Sequence, residues 1–149
     1  MYKRQTLDLV GIGTIGDIVP LVDENRTLAK YGIRAVNVSQ RPGLTALIEG
    51  VSLKQGDICS ENISYVIVPH LNASGRMESA RTAAKLMMAR DPKSIEAGVE
   101  KLVACNRRRK QLQEETFEQC RELVENQYRD DLFYVIDLPD AHEGITRCV

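Results

Sequence analysis

Apolar and polar positions recur with a helical period along most of this chain. Between residues 7 and 19 apolar side chains fall at 9, 12, 15 or 16, and 19, close to the spacing of one helix face. Pro20 ends that segment. Residues 23–31 predict a short polar helix stopped by Gly32. Pro42-Gly43 opens another through Leu47 and Ile48. Ser60 is placed to cap a helix over 61–70 with Ile63, Val66 and Ile67 on one face. A loop is expected at Asn72-Ala73-Ser74-Gly75-Arg76, followed by an Ala-, Met- and Leu-rich helix over 78–90.

Asp91-Pro92 is a strong start signal, with Asp as N-cap and Pro in the first turn. The helix it opens meets no further proline before about Tyr128. Its first turns are amphipathic through Ile95, Val99 and Leu102, and its end is apolar again at Phe117, Val124 and Tyr128. The stretch 106–116 is almost wholly polar. A helix anchored at both ends and polar all round at its centre predicts a bridge between domains, exposed over 106–116. After it, Leu132-Phe133-Tyr134-Val135-Ile136 reads as the first strand of a second domain.

Composition narrows the picture without deciding function. The hydrophobic fraction of 43% and charged fraction of 28% suit a globular chain of one domain's length. A net charge of −1 removes any global basic field for nucleic acid, so such binding must come from a local patch. No apolar run approaches the ~20 residues of a membrane span, and no signal-peptide pattern follows the start. Four isolated cysteines without a CxxC pair, beside two histidines, do not form a zinc set and fit a reducing cytoplasm. Cys105 and Cys120 read as small helix residues.

Several motifs carry candidate chemistry. Gly11-Ile12-Gly13-Thr14-Ile15-Gly16 matches the GxGxxG of dinucleotide folds. Pro20 and the lack of a carboxylate near Val36-Asn37-Val38-Ser39 argue against that site. Asp17, flanked by apolar residues, is either a helix-end cap or a charge with a partner. In the segment Pro69 to Arg76, Gly75 admits close approach of an anion, Asn72 and Ser74 can donate, and Arg76 can pair bidentately with phosphate. An ordinary helix-to-helix turn with an exposed Arg explains the same residues equally well. Arg107-Arg108-Arg109-Lys110 spans one turn, so its charges point around the helix, as on a solvated face paired with Glu114 and Glu115. His142, in Asp140-Ala141-His142-Glu143-Gly144, can bind phosphate or simply bond its own loop.

Taken in order, these motifs resemble the RecJ exonucleases of the DHH phosphoesterase superfamily. The resemblance runs through Leu7 to Leu21, Glu24-Asn25-Arg26, Arg41-Pro42-Gly43-Leu44, Pro69 to Met77, Leu102 to Arg109 and Leu138 to Gly144. It implies a mainly α chain with three parts. Residues 1–91 would be the C-terminal helical part of an α/β DHH catalytic domain. Residues 92–128 would be a connecting helix, and 129–149 the truncated start of an α/β DHH-associated domain. It also implies Asp17 as one ligand of a two-metal site holding Mn2+ or Mg2+, with Asn72, Ser74, Gly75 and Arg76 on the DNA backbone. His142 would grip a nucleotide phosphate.

The parent would degrade single-stranded DNA from 5′ to 3′ in repair and recombination. Gly16 stands where Ala is common in that family, and after Gly144 the chain departs from its pattern. The sequence contains no DxD and no Asp-His-His, so a fragment without activity of its own is expected. Two other readings stay open: another DHH phosphoesterase acting on oligonucleotides or cyclic dinucleotides, and a non-enzymatic helical adaptor.

Overall fold

The computed structural model describes residues 6–127, 133–139 and 141–145. The described residues form α1 (Leu7–Gly16), α2 (Asp23–Asn37), α3 (Pro42–Gly50) and α4 (Ser60–Asn62), then a π-helical turn (Ile63–Ile67). The chain continues as α5 (Val68–Met77), α6 (Arg81–Met88) and α7 (Pro92–Gln127). The chain is mainly α, as the periodicity predicts. Among the described residues no helix is long and apolar enough to cross a membrane.

The first two helices cross through glycine. A Cβ on Gly11 or Gly32 would run into the other glycine's backbone. Gly32 therefore does not stop α2, contrary to the expectation from the sequence. It lies inside a helix that reaches Asn37, and the gain from close packing outweighs the ~1 kcal/mol cost of a helical glycine. The GxGxxG segment is itself helical, with Gly11 in the crossing and Gly16 against the Val68 side chain. Among the described residues no strand precedes it, and a helix through the glycines does not make the phosphate turn of a dinucleotide fold.

Around this pair the core closes with Val36, Leu44, Leu47, Ile48, Ile63, Ile67, Leu86 and Leu102, all buried. Burying each such aliphatic side chain contributes ~1.5–3 kcal/mol. Pro42 starts α3 as expected, and a Cβ on Gly43 would overlap the Leu86 carbonyl, so α3 and α6 meet there at backbone distance. Asn37 ends α2 by tying down the next loop: its Oδ1 accepts from Gly56 and Ile58, and its Nδ2 donates to the Ile58 carbonyl. Cys59, rather than Ser60, is the cap residue, sharing a capping box with Asn62.

Pro69 explains the π turn. It has no N–H to return to the Tyr65 carbonyl, and its ring crowds that oxygen, so the ladder widens and Val68 N–H bonds to Ile63 five residues back. The helix then resumes through Met77, so the loop expected at 72–76 is the last turns of α5. Asp91 caps α7 as expected, its Oδ1 accepting from Ser94 N–H at 2.8 Å.

α7 is one unbroken helix of 36 residues. Its N-terminal third is anchored through Ile95, Val99 and Leu102. Beyond Asn106 no residue with a described side chain is buried, so the polar stretch is largely exposed as expected, with Arg109, Leu112, Gln113 and Thr116 half-buried. Asn106 itself is the exception, at 3% exposed. The expected helix end at Tyr128 lies outside the described residues, as does Leu132 of the expected strand. Residues 133–136 form no ladder among the described residues. A strand needs a partner for its backbone groups, and no second β-rich run is described.

Candidate functional site

Asp17 sits at the end of α1. Its backbone N–H closes the helix onto the Gly13 carbonyl at 2.9 Å, while its side chain is exposed and has no partner among the described residues. The next residue, Ile18, has φ 53° and is 88% exposed. A β-branched residue in that left-handed region is strained, and such strain gathers at functional sites. The cap role belongs to the Asp17 backbone, which leaves the carboxylate available. A hard oxygen donor of this kind suits Mg2+ or Mn2+. Among the described residues no group of three or more His, Cys, Asp or Glu could hold a metal ion, and Asp17 stands apart from any such group.

The segment Asn72 to Arg76 is placed by α5. Asn72 and Arg76 are four apart and Gly75 lies between them in the next turn, so these three share one helix face. Ser74 is about 200° from Asn72 around the helix; it is fully buried, and its hydroxyl donates to the Leu71 carbonyl at 3.2 Å. Ser74 therefore does not reach the accessible face. Arg76 is half-buried and donates through Nη1 to the Gly144 carbonyl at 3.2 Å.

That bond brings two predicted sites together. A Cβ on Gly144 would overlap the Arg76 carbonyl, so only glycine lets the 141–145 turn lie on the end of α5. His142 is exposed within this turn; its Nδ1 accepts from Gly144 N–H at 3.0 Å, and its carbonyl accepts from Ile145 N–H at 2.8 Å. Ile145 is buried beneath. His142 is thus held by its own loop while sitting beside the Arg76 face.

Two polar clusters were not singled out from the sequence. Asp8 is buried, yet it accepts from Ser39 Oγ at 2.8 Å, from Leu9 N–H at 2.8 Å and from Arg41 Nε at 3.1 Å. Arg41 also donates to the Met87 carbonyl, so the pair ties α1, the α2–α3 loop and α6 into one unit. Burial alone would push the Asp8 carboxyl up. The hydrogen bonds from Arg41, Ser39 and Leu9, with the charge of Arg41, outweigh it and hold the group below its ordinary value. This pair floors a cleft of ≈ 950 Å³ lined also by Thr6, Val38, Met88 and Arg90. None of the predicted site residues lines it. The signal for Asp8 was a charge inside the apolar run from Leu7 to Val10.

The second cluster joins α5 to α7. His70 Nδ1 lies 2.7 Å from the Val66 carbonyl and its Nε2 3.1 Å from Asn106 Nδ2. Arg109 Nε donates to Asn106 Oδ1 at 3.2 Å and Arg109 Nη1 to Gln113 Oε1 at 2.9 Å. Burial pushes the His70 imidazole below its ordinary value, against the bond to Val66, and the cations Lys110 and Arg109 add to the lowering. The signal here was spacing: Asn106 continues the buried stripe Ile95, Val99, Leu102 with a polar side chain.

No family model matches the chain. It is 32% identical to the single-stranded-DNA-specific exonuclease RecJ of Bacillus subtilis over 145 residues, 97% of this chain and 18% of that protein. It is 28% identical to RecJ of Escherichia coli over 148 residues, covering 95% of this chain and 25% of that protein. Its fold is similar to the crystal structure of RecJ in complex with Mn2+ from Thermus thermophilus. That match has a TM-score of 0.82 and 29% identity over 96% of this chain and 21% of that one. The Mg2+ complex of the same enzyme matches at TM-score 0.82 and 29% identity, over 96% of this chain and 22% of that one. The chain spans 18–25% of the length of the curated relatives it matches.

Proposed function

The chain matches one segment of the RecJ single-stranded-DNA-specific exonucleases over nearly its whole length, and we propose that it serves as that segment in a metal-dependent exonuclease. In this reading residues 1–91 are the helical end of a DHH catalytic domain, 92–128 the connecting helix and 129–149 the start of the associated domain. The observation that carries the reading is the collinear match in sequence and fold to metal-bound RecJ structures. The whole enzyme would degrade single-stranded DNA from 5′ to 3′ in repair and recombination.

Asp17 is the metal-facing residue of the segment. Asp17 would hold a divalent ion together with ligands from elsewhere, and such an ion would supply an activated water and charge stabilisation at the phosphodiester. Asn72, Gly75 and Arg76 present one helix face to the DNA backbone, with Arg76 as its cation. The turn docked on that helix adds His142 at its edge. Ser74 supports the face from beneath by packing.

The test uses the full-length enzyme. Arg76→Ala is expected to weaken single-stranded-DNA binding at all sequences and to lower the salt slope by about one unit or slightly less. Arg76→Lys, which keeps the charge, should keep the slope. Asp17→Ala should abolish cleavage while leaving binding in place. The 149-residue chain alone, given manganese and single-stranded DNA, should release no nucleotides. Release from that chain, lost in Asp17→Ala, would overturn the reading, and an unchanged salt slope would confine Arg76 to holding Gly144.

A further inference from the structure

We propose that His70 is a pH-sensitive latch that fixes α7 to the helical body where it leaves the core, closed when the imidazole is neutral and opened by its protonation. The cluster allows only one arrangement of protons. The Val66 carbonyl can only accept, so Nδ1 of His70 must carry the hydrogen. Arg109 Nε can only donate, so it fixes the Asn106 oxygen toward itself and the Asn106 amide nitrogen toward His70. Nε2 must then accept from that amide and be bare. Donation runs in one direction from Arg109 through Asn106 and His70 to Val66.

A proton on Nε2 has nowhere to go in this chain of bonds. It would face the Asn106 N–H groups, donor against donor. Turning the amide over satisfies His70 but sets the Asn106 N–H groups against Arg109 Nε–H. Either way one buried donor is stranded, which is costly. The new positive charge also stands beside Arg109 and Lys110. These are the charged groups acting on His70; both are cations on α7, and among the described residues neither α6 nor the π turn adds another.

Position gives the latch its consequence. Asn106 is the last buried residue among those described on α7, and beyond it the helix continues to Gln127 with no described side chain buried. On the other side His70 is held by Val66 within the π turn, whose register Pro69 sets. The contact therefore joins the fixed part of the body to the point about which the arm would pivot. Because the folded state holds His70 below its unfolded value, this contribution is full above about pH 6.5. It is lost as pH falls from there toward the folded value.

Nuclear magnetic resonance of the 15N-labelled 149-residue chain tests this. At pH 7.5 His70 should be neutral with Nδ1 protonated and Nε2 bare. It should titrate below 6.5, and the side-chain signals of Asn106 and Arg109 should move with it. Exchange protection of the amides from Leu102 to Lys110, corrected for intrinsic rates, should fall over the same range. The loss should approach roughly tenfold per unit by which His70 lies below its ordinary value. His70→Gln cannot protonate and should abolish this response. Asn106→Asp should move the His70 titration above 6.5. A protonated Nε2 at pH 7.5, a titration at or above 6.5, or protection indifferent to the His70 titration in the unmodified chain overturns the latch, whether or not the variants fold.

Discussion

The helical body and the free half of α7 are built from the same kind of element and held by different forces. In the body, α1, α2 and α3 bury one face each, and two crossings come down to backbone contact at Gly11–Gly32 and at Gly43–Leu86. Past Asn106, α7 has no described side chain buried. It stays helical through good helix formers and local pairs such as Gln111–Glu115 at 2.9 Å and Arg121–Glu118 at 2.5 Å. One region depends on contacts made far apart in sequence, the other on contacts within four residues. A long helix can thus cross open solvent without a core, provided something fixes its root.

The sharpest way to break this contrast is to delete the same kind of group from each region. Leu47→Ala, at a fully buried position, should cost ~2–5 kcal/mol. Phe117→Ala, where the ring is 53% exposed, should change stability by within about 0.5 kcal/mol. Urea unfolding followed by circular dichroism reads both. Equal losses would mean that the arm is packed in solution.

A slightly smaller effect tests whether the body depends on its buried ion pair. Asp8→Ala removes the carboxylate partner of Arg41 and should cost ~3 kcal/mol. Because Asp8 is held below its ordinary value near 3.8, its contribution is full above that pH and is lost as pH falls through the lowered folded value. Asp8→Ala should therefore flatten the acid limb of the stability curve. A limb of unchanged steepness would assign acid sensitivity to other carboxylates.

The smallest effect sharpens the account of the arm. Gln111→Gly removes the bond to Glu115 and lowers helix propensity, ~1 kcal/mol in all. Amide exchange should quicken between Arg107 and Gln127, while protection around Leu44 and Ile48 stays unchanged. Loss of protection in both places would show that arm and body unfold as one.

Much of this was legible in the sequence because it is local. The Asp91-Pro92 start, the proline opening of α3 and the unbroken run of helix formers in α7 act on backbone within a turn or so of themselves. The ordered motifs also identified the RecJ-like segment, although each motif alone was ambiguous. For Asp17 the sequence left a cap and a partnered charge both open; only the folded chain divides the roles, with the backbone capping α1 and the carboxylate left exposed.

The tertiary structure decided what depends on distant partners. Gly32 reads as a stop until Gly11, twenty-one positions away, takes the space its Cβ would need. The Asn72–Arg76 segment has the composition of a loop, yet packing carries α5 through it and turns Ser74 inward while Arg76 stays half-buried against the Gly144 turn. Asn106 looks like the start of a polar stretch until His70 and Arg109 supply partners for its buried amide. Side-chain propensity reports the preferences of a chain segment on its own; a crossing, a buried polar pair or a face is settled by the free energy of the atoms that meet there.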